Sequence, residues 1–336
     1  MEKIVLGFSG GVDSAVSALL LAERGFAVHA LYLNTGGPFD PESVAALAGA
    51  IGVPLTVRDV RPEMERHVCA PFAESYLRGE TPNPCILCNP SVKFRSLIDC
   101  ADALGAAHVA TGHYARAEND SLYKGTPQND QSYMLCRLTR EQVSRLVLPL
   151  GSLHKDAVRT LARERALPVA ETPDSMEICF IPDRDYAGYI ERRGAAPPPG
   201  HFVYEGRVIG AHRGIHHYTV GQRRHFGVYV GHRVYVSEIR PDTNEVILSE
   251  GDEVFADAVR VRDANWLIEP PAGALRATVR VRHTRRDEPA ATVTPLPDGG
   301  AAIAFDTPVR APAAGQSAAF YDGDRLLGGG FIVGLV

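Results

Sequence analysis

Along the first third of the chain, short apolar runs alternate with stretches whose apolar residues recur at helical spacing. The apolar runs are Lys3 to Phe8, Val28 to Leu33, Leu55 to Val60 and His108 to Thr111. The helical stretches are Ala15 to Glu23, Pro41 to Ile51, Phe94 to Leu104 and, further on, Lys155 to Ala166. Strands that alternate with helices predict an α/β fold with a parallel, doubly wound sheet. Right-handed crossovers gather the loops that follow the strands on one edge, where ligands bind, and Gly10, Leu33 and Gly112 share that edge.

The pattern changes in the second half. A Pro-Pro-Pro-Gly stretch after Ala196 breaks regular structure, and the chain to about Ser249 mixes short strands with turns, which predicts a small central domain. Beyond Gly251, six short alternating runs begin at Val259, Ala277, Ala291, Ala301, Ser317 and Gly329, separated by Gly, Pro and Asp turns. That rhythm predicts a C-terminal antiparallel β-barrel. The expected division is 1–168, 169–250 with Cys179 in the central part, and 251–336.

Composition narrows the class. The 336 residues are 45% hydrophobic and 22% charged, an ordinary soluble balance with enough apolar area for two or three cores. No run of eighteen apolar residues and no charged-then-apolar leader are present, so neither a membrane span nor an export signal is expected and the location expected is cytoplasmic. The six cysteines then read as catalytic, metal-binding or buried thiols rather than as a disulfide framework. The net charge is −5, yet Gly206 to Arg233 holds five Arg, five His and no acidic residue, and Val259 to Arg286 holds seven Arg against Asp263 and Glu269. Each is either a solvated face or a surface for a phosphate backbone.

Residues 9 to 14 read Ser-Gly-Gly-Val-Asp-Ser, between the first strand and the first helix. Gly7, Gly10 and Gly11 can take positive φ and let backbone N–H groups converge on an anion at the positive end of a helix. Ser9 and Ser14 add donors, and Asp13 can hold magnesium. The alternative is an ordinary glycine-rich turn. A Walker lysine and the dinucleotide glycine spacing are both absent, which points to ATP held for a different cleavage. The hexapeptide resembles the PP-loop of ATP pyrophosphatases, a group that includes tRNA-thiolating enzymes, argininosuccinate synthase and amidating synthetases. The resemblance implies an adenine-nucleotide alpha-hydrolase-like domain. It also implies that Gly7, Phe8, Ser9, Gly10, Gly11, Val12, Asp13 and Ser14, with Leu33 and Gly112, bind ATP.

Thr81-Pro-Asn-Pro-Cys-Ile-Leu-Cys-Asn-Pro sets Cys85 and Cys88 on a Pro-rich loop, and Cys179 follows 91 residues after Cys88. A Cys-x-x-Cys signals a metal or a redox pair. Structural zinc would want a fourth ligand, which in the absence of a second Cys-x-x-Cys would have to be a distant His. Three thiolates suit an iron–sulfur cluster with one iron open, or a redox pair with a separate sulfur carrier. Cys69, Cys100 and Cys136 read as small buried residues.

At this point the chain resembles the tRNA-specific 2-thiouridylase family over nearly its whole length. The matching segments are the turn, Thr81-Pro-Asn-Pro with its Cys-Asn, Thr111-Gly-His-Tyr-Ala-Arg, Asn129-Asp-Gln-Ser-Tyr, Leu148-Pro-Leu-Gly, Asp174-Ser through Ile178-Cys-Phe-Ile, Tyr218-Thr-Val-Gly-Gln-Arg, Asn265-Trp and Phe320-Tyr-Asp-Gly-Asp. The resemblance implies sulfur transfer to C2 of the wobble uridine of tRNA, with adenylation of the C2 oxygen and release of pyrophosphate and AMP. It implies Cys179 as a persulfide carrier and Cys88 as the thiol that attacks it. It also implies tRNA contacts at Asn83, Pro84, His113, Asn129, Asp130, Gln131, Arg280 and Gln316. A lone histidine such as His113 is otherwise usually structural.

Many members carry Asp where this chain has Cys85. The trio Cys85, Cys88 and Cys179 resembles the ligands of related iron–sulfur tRNA thiolases, so a [4Fe-4S] cluster is favoured, with Cys179 then a ligand. The expected cofactors are ATP, magnesium and that cluster; the expected partners are tRNA and a sulfur donor, either a cysteine desulfurase relay or inorganic sulfide. Two other readings remain: a PP-loop synthetase that adenylates a small substrate, and a non-catalytic nucleotide-binding iron–sulfur regulator of RNA.

Overall fold

A computed structural model describes residues 1–37, 40–173, 178–194, 196–283 and 288–335. Five parallel strands form the first sheet in the order Leu55–Asp59, Ala27–Asn34, Lys3–Gly7, His108–Ala110, Leu146–Val147. The order runs outward in both directions from Lys3–Gly7, so the chain reverses between that strand and His108–Ala110, where a doubly wound sheet opens a crevice. Both faces are covered: Ile4 and Leu6 pack with the helix Val12–Glu23, while Val5 packs with the helix Phe94–Leu104. The alternation of side chains along one strand thus feeds two cores.

The central part is a four-stranded sheet in the order Tyr235–Arg240, Glu245–Ser249, Gly200–Tyr204, Arg207–His212, with Phe202, Val236 and Val246 at its core. In the C-terminal part, Phe255–Trp266 pairs with Ala301–Arg310 and also with Arg325–Leu335, which closes six antiparallel strands into a barrel. A hairpin from the first part joins it. Ala115–Glu118 and Ser121–Lys124 turn tightly through Asn119 and Asp120, both at positive φ, and Leu122 and Tyr123 then pair with Leu326 and Arg325.

Two local expectations are corrected. Cys85 and Cys88 do not sit on a loop but on the helix Pro84–Cys88, which runs on through Asn89–Lys93 into Phe94–Leu104. The Asn83 side chain accepts from the Cys85 N–H and Pro84 takes the first helical position, where its missing N–H costs nothing, so the prolines start a helix instead of preventing one. Of the three turn glycines, only Gly10 uses positive φ (85°). Gly7 ends a strand and Gly11 is an extended N-cap.

Candidate active site

One cavity of about 420 Å³ opens at the strand ends. Its lining includes Gly7, Phe8, Ser9, Asp13, Ser14, Leu33 and Gly112 on one side and Cys85, Cys88 and Cys179 on the other. On the first side, the helix Val12–Glu23 starts with no side chain capping its leading N–H groups. Ser14 Oγ donates to the Gly11 carbonyl at 2.9 Å, and Ser9 Oγ lies 3.4 Å from Ser14 Oγ. Open amides and two hydroxyls at the positive end of a helix make an anion site. Gly112 approaches the turn closely: a Cβ there would lie 3.1 Å from Asp13 Cβ, so Asp13 would have to give way by a few tenths of an ångström.

Asp13 is engaged differently from the magnesium role expected of it. Both carboxylate oxygens accept from Lys155 Nζ at 2.8 Å, and Oδ1 also accepts from the Tyr114 hydroxyl at 2.7 Å. Lys155 opens the helix Lys155–Glu164, which packs on Val12–Glu23, and so brings an ammonium to the glycine turn. Nothing in the local sequence announces it, since the two residues are 142 apart.

On the sulfur side, burial pushes the Cys88 thiol up to about 12, against a partial pull from Lys93. Cys179 opens to solvent at the cavity edge; desolvation still raises its thiol, while the Thr35 hydroxyl bonds the sulfur and favours the thiolate. Met64 Sδ lies 3.8 Å from Cys88 Sγ. The three sulfurs are not gathered to within 4.8 Å of one another, so they are not set around a single ion. Cys69 and Cys136 are buried and Cys100 half-buried, all outside this lining. The segment Ile178 to Ile181 packs with Phe72, Tyr76 and Tyr189. Asp174 to Glu177 lie outside the described residues, as do Arg285 and Arg286.

His113 faces the same cavity, stacked on Phe94, with Nδ1 2.7 Å from Thr111 Oγ1. Desolvation and, second, Lys93 hold its imidazole well below the ordinary 6.5, hence neutral. Gln131 also lines the cavity and accepts from the Tyr114 N–H. A second cavity of about 340 Å³ adjoins through Pro84 and draws on all three parts of the chain: Thr81 and Asn83, Thr219 and Val220, Arg282, His283 and Gln316. Gln316 Nε2 donates to the Thr81 carbonyl at 2.8 Å.

Asp130 and Arg280 are brought to each other and to neither cavity. Arg280, 8% exposed, donates to Asp130 at 2.7 Å and to Glu288, which also holds Lys124. The Asn129 amide oxygen accepts from the Lys155 N–H at 2.9 Å. In the basic central segment, Arg207, Arg213, Arg223, Arg224 and Arg233 are all exposed, beside Tyr229 at 88% exposure. Among the described residues, no helix is long and apolar enough to cross a membrane.

Three family models cover the chain in sequence: the tRNA methyl transferase HUP domain at residues 2–183, the tRNA methyl transferase PRC-barrel domain at 189–250, and the aminomethyltransferase beta-barrel domain at 256–332. Curated relatives align end to end. The tRNA-specific 2-thiouridylase MnmA of Carboxydothermus hydrogenoformans is 40% identical over 98% of this chain and 97% of its own length. Its namesake in Syntrophotalea carbinolica is 41% identical over 98% of both. The protein of that name in Acetivibrio thermocellus is 38% identical over 98% of this chain and 99% of its own length.

Proposed function

Because the chain belongs to the tRNA-specific 2-thiouridylase family, we propose that it replaces the C2 oxygen of a tRNA uridine with sulfur, driven by ATP. The observation that carries this reading is the cavity shared by the phosphate turn and three thiols. Methyl transfer, named in two of the family descriptions, needs neither feature.

The chemistry follows from the substrate. A uracil C2 carbonyl is urea-like, and its oxygen is a poor leaving group until it is derivatised. The C2 oxygen attacks the α-phosphorus of ATP, and pyrophosphate departs into the turn of Gly7 to Ser14, where helix amides and the two serines meet its charge. Lys155 supplies the ammonium that the turn itself lacks. Its ammonium pairs with Asp13, and a magnesium ion on Asp13 would release it toward the phosphates. Sulfur then adds to C2, the C2–O bond breaks, and AMP leaves with the original oxygen.

The donor set suits an iron–sulfur cluster. Cys85, Cys88 and Cys179 line one cavity in an apolar setting that disfavours free thiolates, and a group whose irons deprotonate their ligands outright would answer that setting. Cys85, Cys88 and Cys179 would hold it, and its unliganded iron would offer hydrosulfide a place to bind. Exposed Cys179 favours a second route, in which it arrives as a persulfide, Cys88 attacks its inner sulfur, the outer sulfur leaves for C2, and an external thiol reduces the resulting disulfide.

The tRNA reaches the site through a flipped uridine, with Asn83, Pro84 and Gln316 around the second cavity and the exposed arginines of the central segment on the phosphate backbone. The test is single-turnover thiolation of unmodified tRNA by anaerobically purified protein, with iron and sulfide counted in the native chain and in Cys85→Ala. The cluster route predicts bound iron that Cys85→Ala loses together with thiolation. Thiolation by iron-free protein would restore the persulfide route, and no thiolation under either condition would overturn the function.

A further inference from the structure

Away from the cavity, the helix Tyr186–Glu191 ends against the one-turn helix Ile215–His217. We propose that Glu191, His216 and His217 form a binding site for a divalent transition-metal ion, with zinc the best match. This inference is independent of the sulfur chemistry above.

The geometry carries it. Among the described residues, this is the one group of three His, Cys, Asp or Glu side chains whose ligand atoms all lie within 4.8 Å of one another. His216 Nε2 is 3.2 Å and His217 Nε2 is 3.1 Å from the same oxygen, Glu191 Oε1. A tetrahedral ion with bonds of about 2.0 to 2.2 Å holds neighbouring ligand atoms roughly 3.3 Å apart. Two edges of that tetrahedron are already in place.

Sequence neighbours seldom aim their side chains at one point, and here the backbone is shaped for it. Gly214, at φ 137°, leads into the short helix, and a Cβ on it would lie 2.6 Å from the His216 ring and 2.8 Å from the Pro197 carbonyl oxygen. The two imidazole rings are 4.3 Å apart between centroids. His216 is fully enclosed and the His217 side chain is 12% exposed, so both are held in place before any ion arrives. Glu191 lies at the surface with its side chain 45% exposed, which leaves room for water as a fourth ligand. Two imidazoles and one carboxylate form a donor set suited to zinc and its neighbours rather than to magnesium or calcium.

The position gives the ion something to do. Tyr186 stacks on Tyr76 at 4.8 Å, and Tyr189 packs against Phe72 and against Phe180, the residue after Cys179. An ion at the helix end ties this aromatic layer, and with it the segment that carries Cys179, to the short helix Ile215–His217.

The experiment must keep the metal off the thiols. The full chain carrying Cys85→Ser, Cys88→Ser and Cys179→Ser is stripped with EDTA, dialysed and titrated with cobalt(II). The expected result is one equivalent bound, with the visible absorption of a four-coordinate site, no thiolate-to-cobalt charge-transfer band, and displacement by zinc. In that background His217→Ala and Glu191→Gln each weaken cobalt binding by at least about tenfold. No cobalt bound at about 1 mM, or equal binding after His217→Ala, overturns the site. Should the serine variant fail to fold, zinc is counted in the native chain and in its His217→Ala variant. A loss of one equivalent supports the site and equal counts overturn it.

Discussion

His113 shows how one buried ring carries a pH signature. Its imidazole is held well below 6.5 by desolvation and by Lys93, so the folded protein resists a proton that the unfolded chain accepts. Below the unfolded value the unfolded state binds more protons, and stability therefore falls as pH drops through about 6.5 toward the folded value. Thermal midpoints measured from pH 7.5 to 5 should decline, and His113→Gln should flatten that decline; an unchanged slope would remove the assignment. At this scale the turn from Ser9 to Ser14 and the three cysteines, which line one cavity, stood out because they fall in short motifs. Lys155 did not, because its partner lies across a helix contact that no local pattern encodes. The sequence also named Asp130 and Arg280 without showing that each is consumed by the other.

Among the elements, the strands and long helices of the first sheet stood where hydrophobic periodicity put them, as with the helix Phe94–Leu104 and the strand Leu55–Asp59. The misses have physical causes. A run dense in proline hid the helix Pro84–Cys88, whose start depends on the Asn83 cap rather than on propensity. The hairpin Ala115–Lys124 escaped because its two strands, four residues each, are too short to show a period. The helices between Arg61 and Leu77 are interrupted by a wider turn at Glu65–Cys69, which blurs their period. Gly112 tests how closely two elements must approach. Gly112→Ala should force the strand end from the Asp13 backbone, 3.2 Å from the added carbon, and weaken ATP binding by about tenfold, equivalent to about 1.4 kcal/mol. Calorimetric titration with a non-hydrolysable ATP analogue measures it, and native affinity would show that the turn tolerates the added carbon.

For the molecule as a whole, the joint between the first domain and the barrel decides whether the two cavities stay in register. The barrel strand Arg325–Leu335 continues into the hairpin, Asn265 Nδ2 donates to the Cys136 and Leu138 carbonyls, and Tyr133 donates to the Ser317 carbonyl. At its centre the Arg280 guanidinium meets Asp130 and Glu288, with side chains only 10%, 6% and 20% exposed. Arg280→Ala leaves Asp130 buried without a counter-charge and Glu288 with Lys124 alone, which should destabilise the fold by roughly 3–5 kcal/mol. Urea unfolding checks this, and a loss below about 1 kcal/mol would mean that the network acts as a surface pair.

Adenylation of the uracil carbonyl fixes the fate of one oxygen atom. Unmodified tRNA carrying 18O at C2 of the target uridine, incubated with the protein, ATP and a sulfur source, should yield 2-thiouridine and an equal amount of AMP bearing the label. Label released to water, label retained in the tRNA, or thiolation without AMP would contradict adenylation of the uracil oxygen.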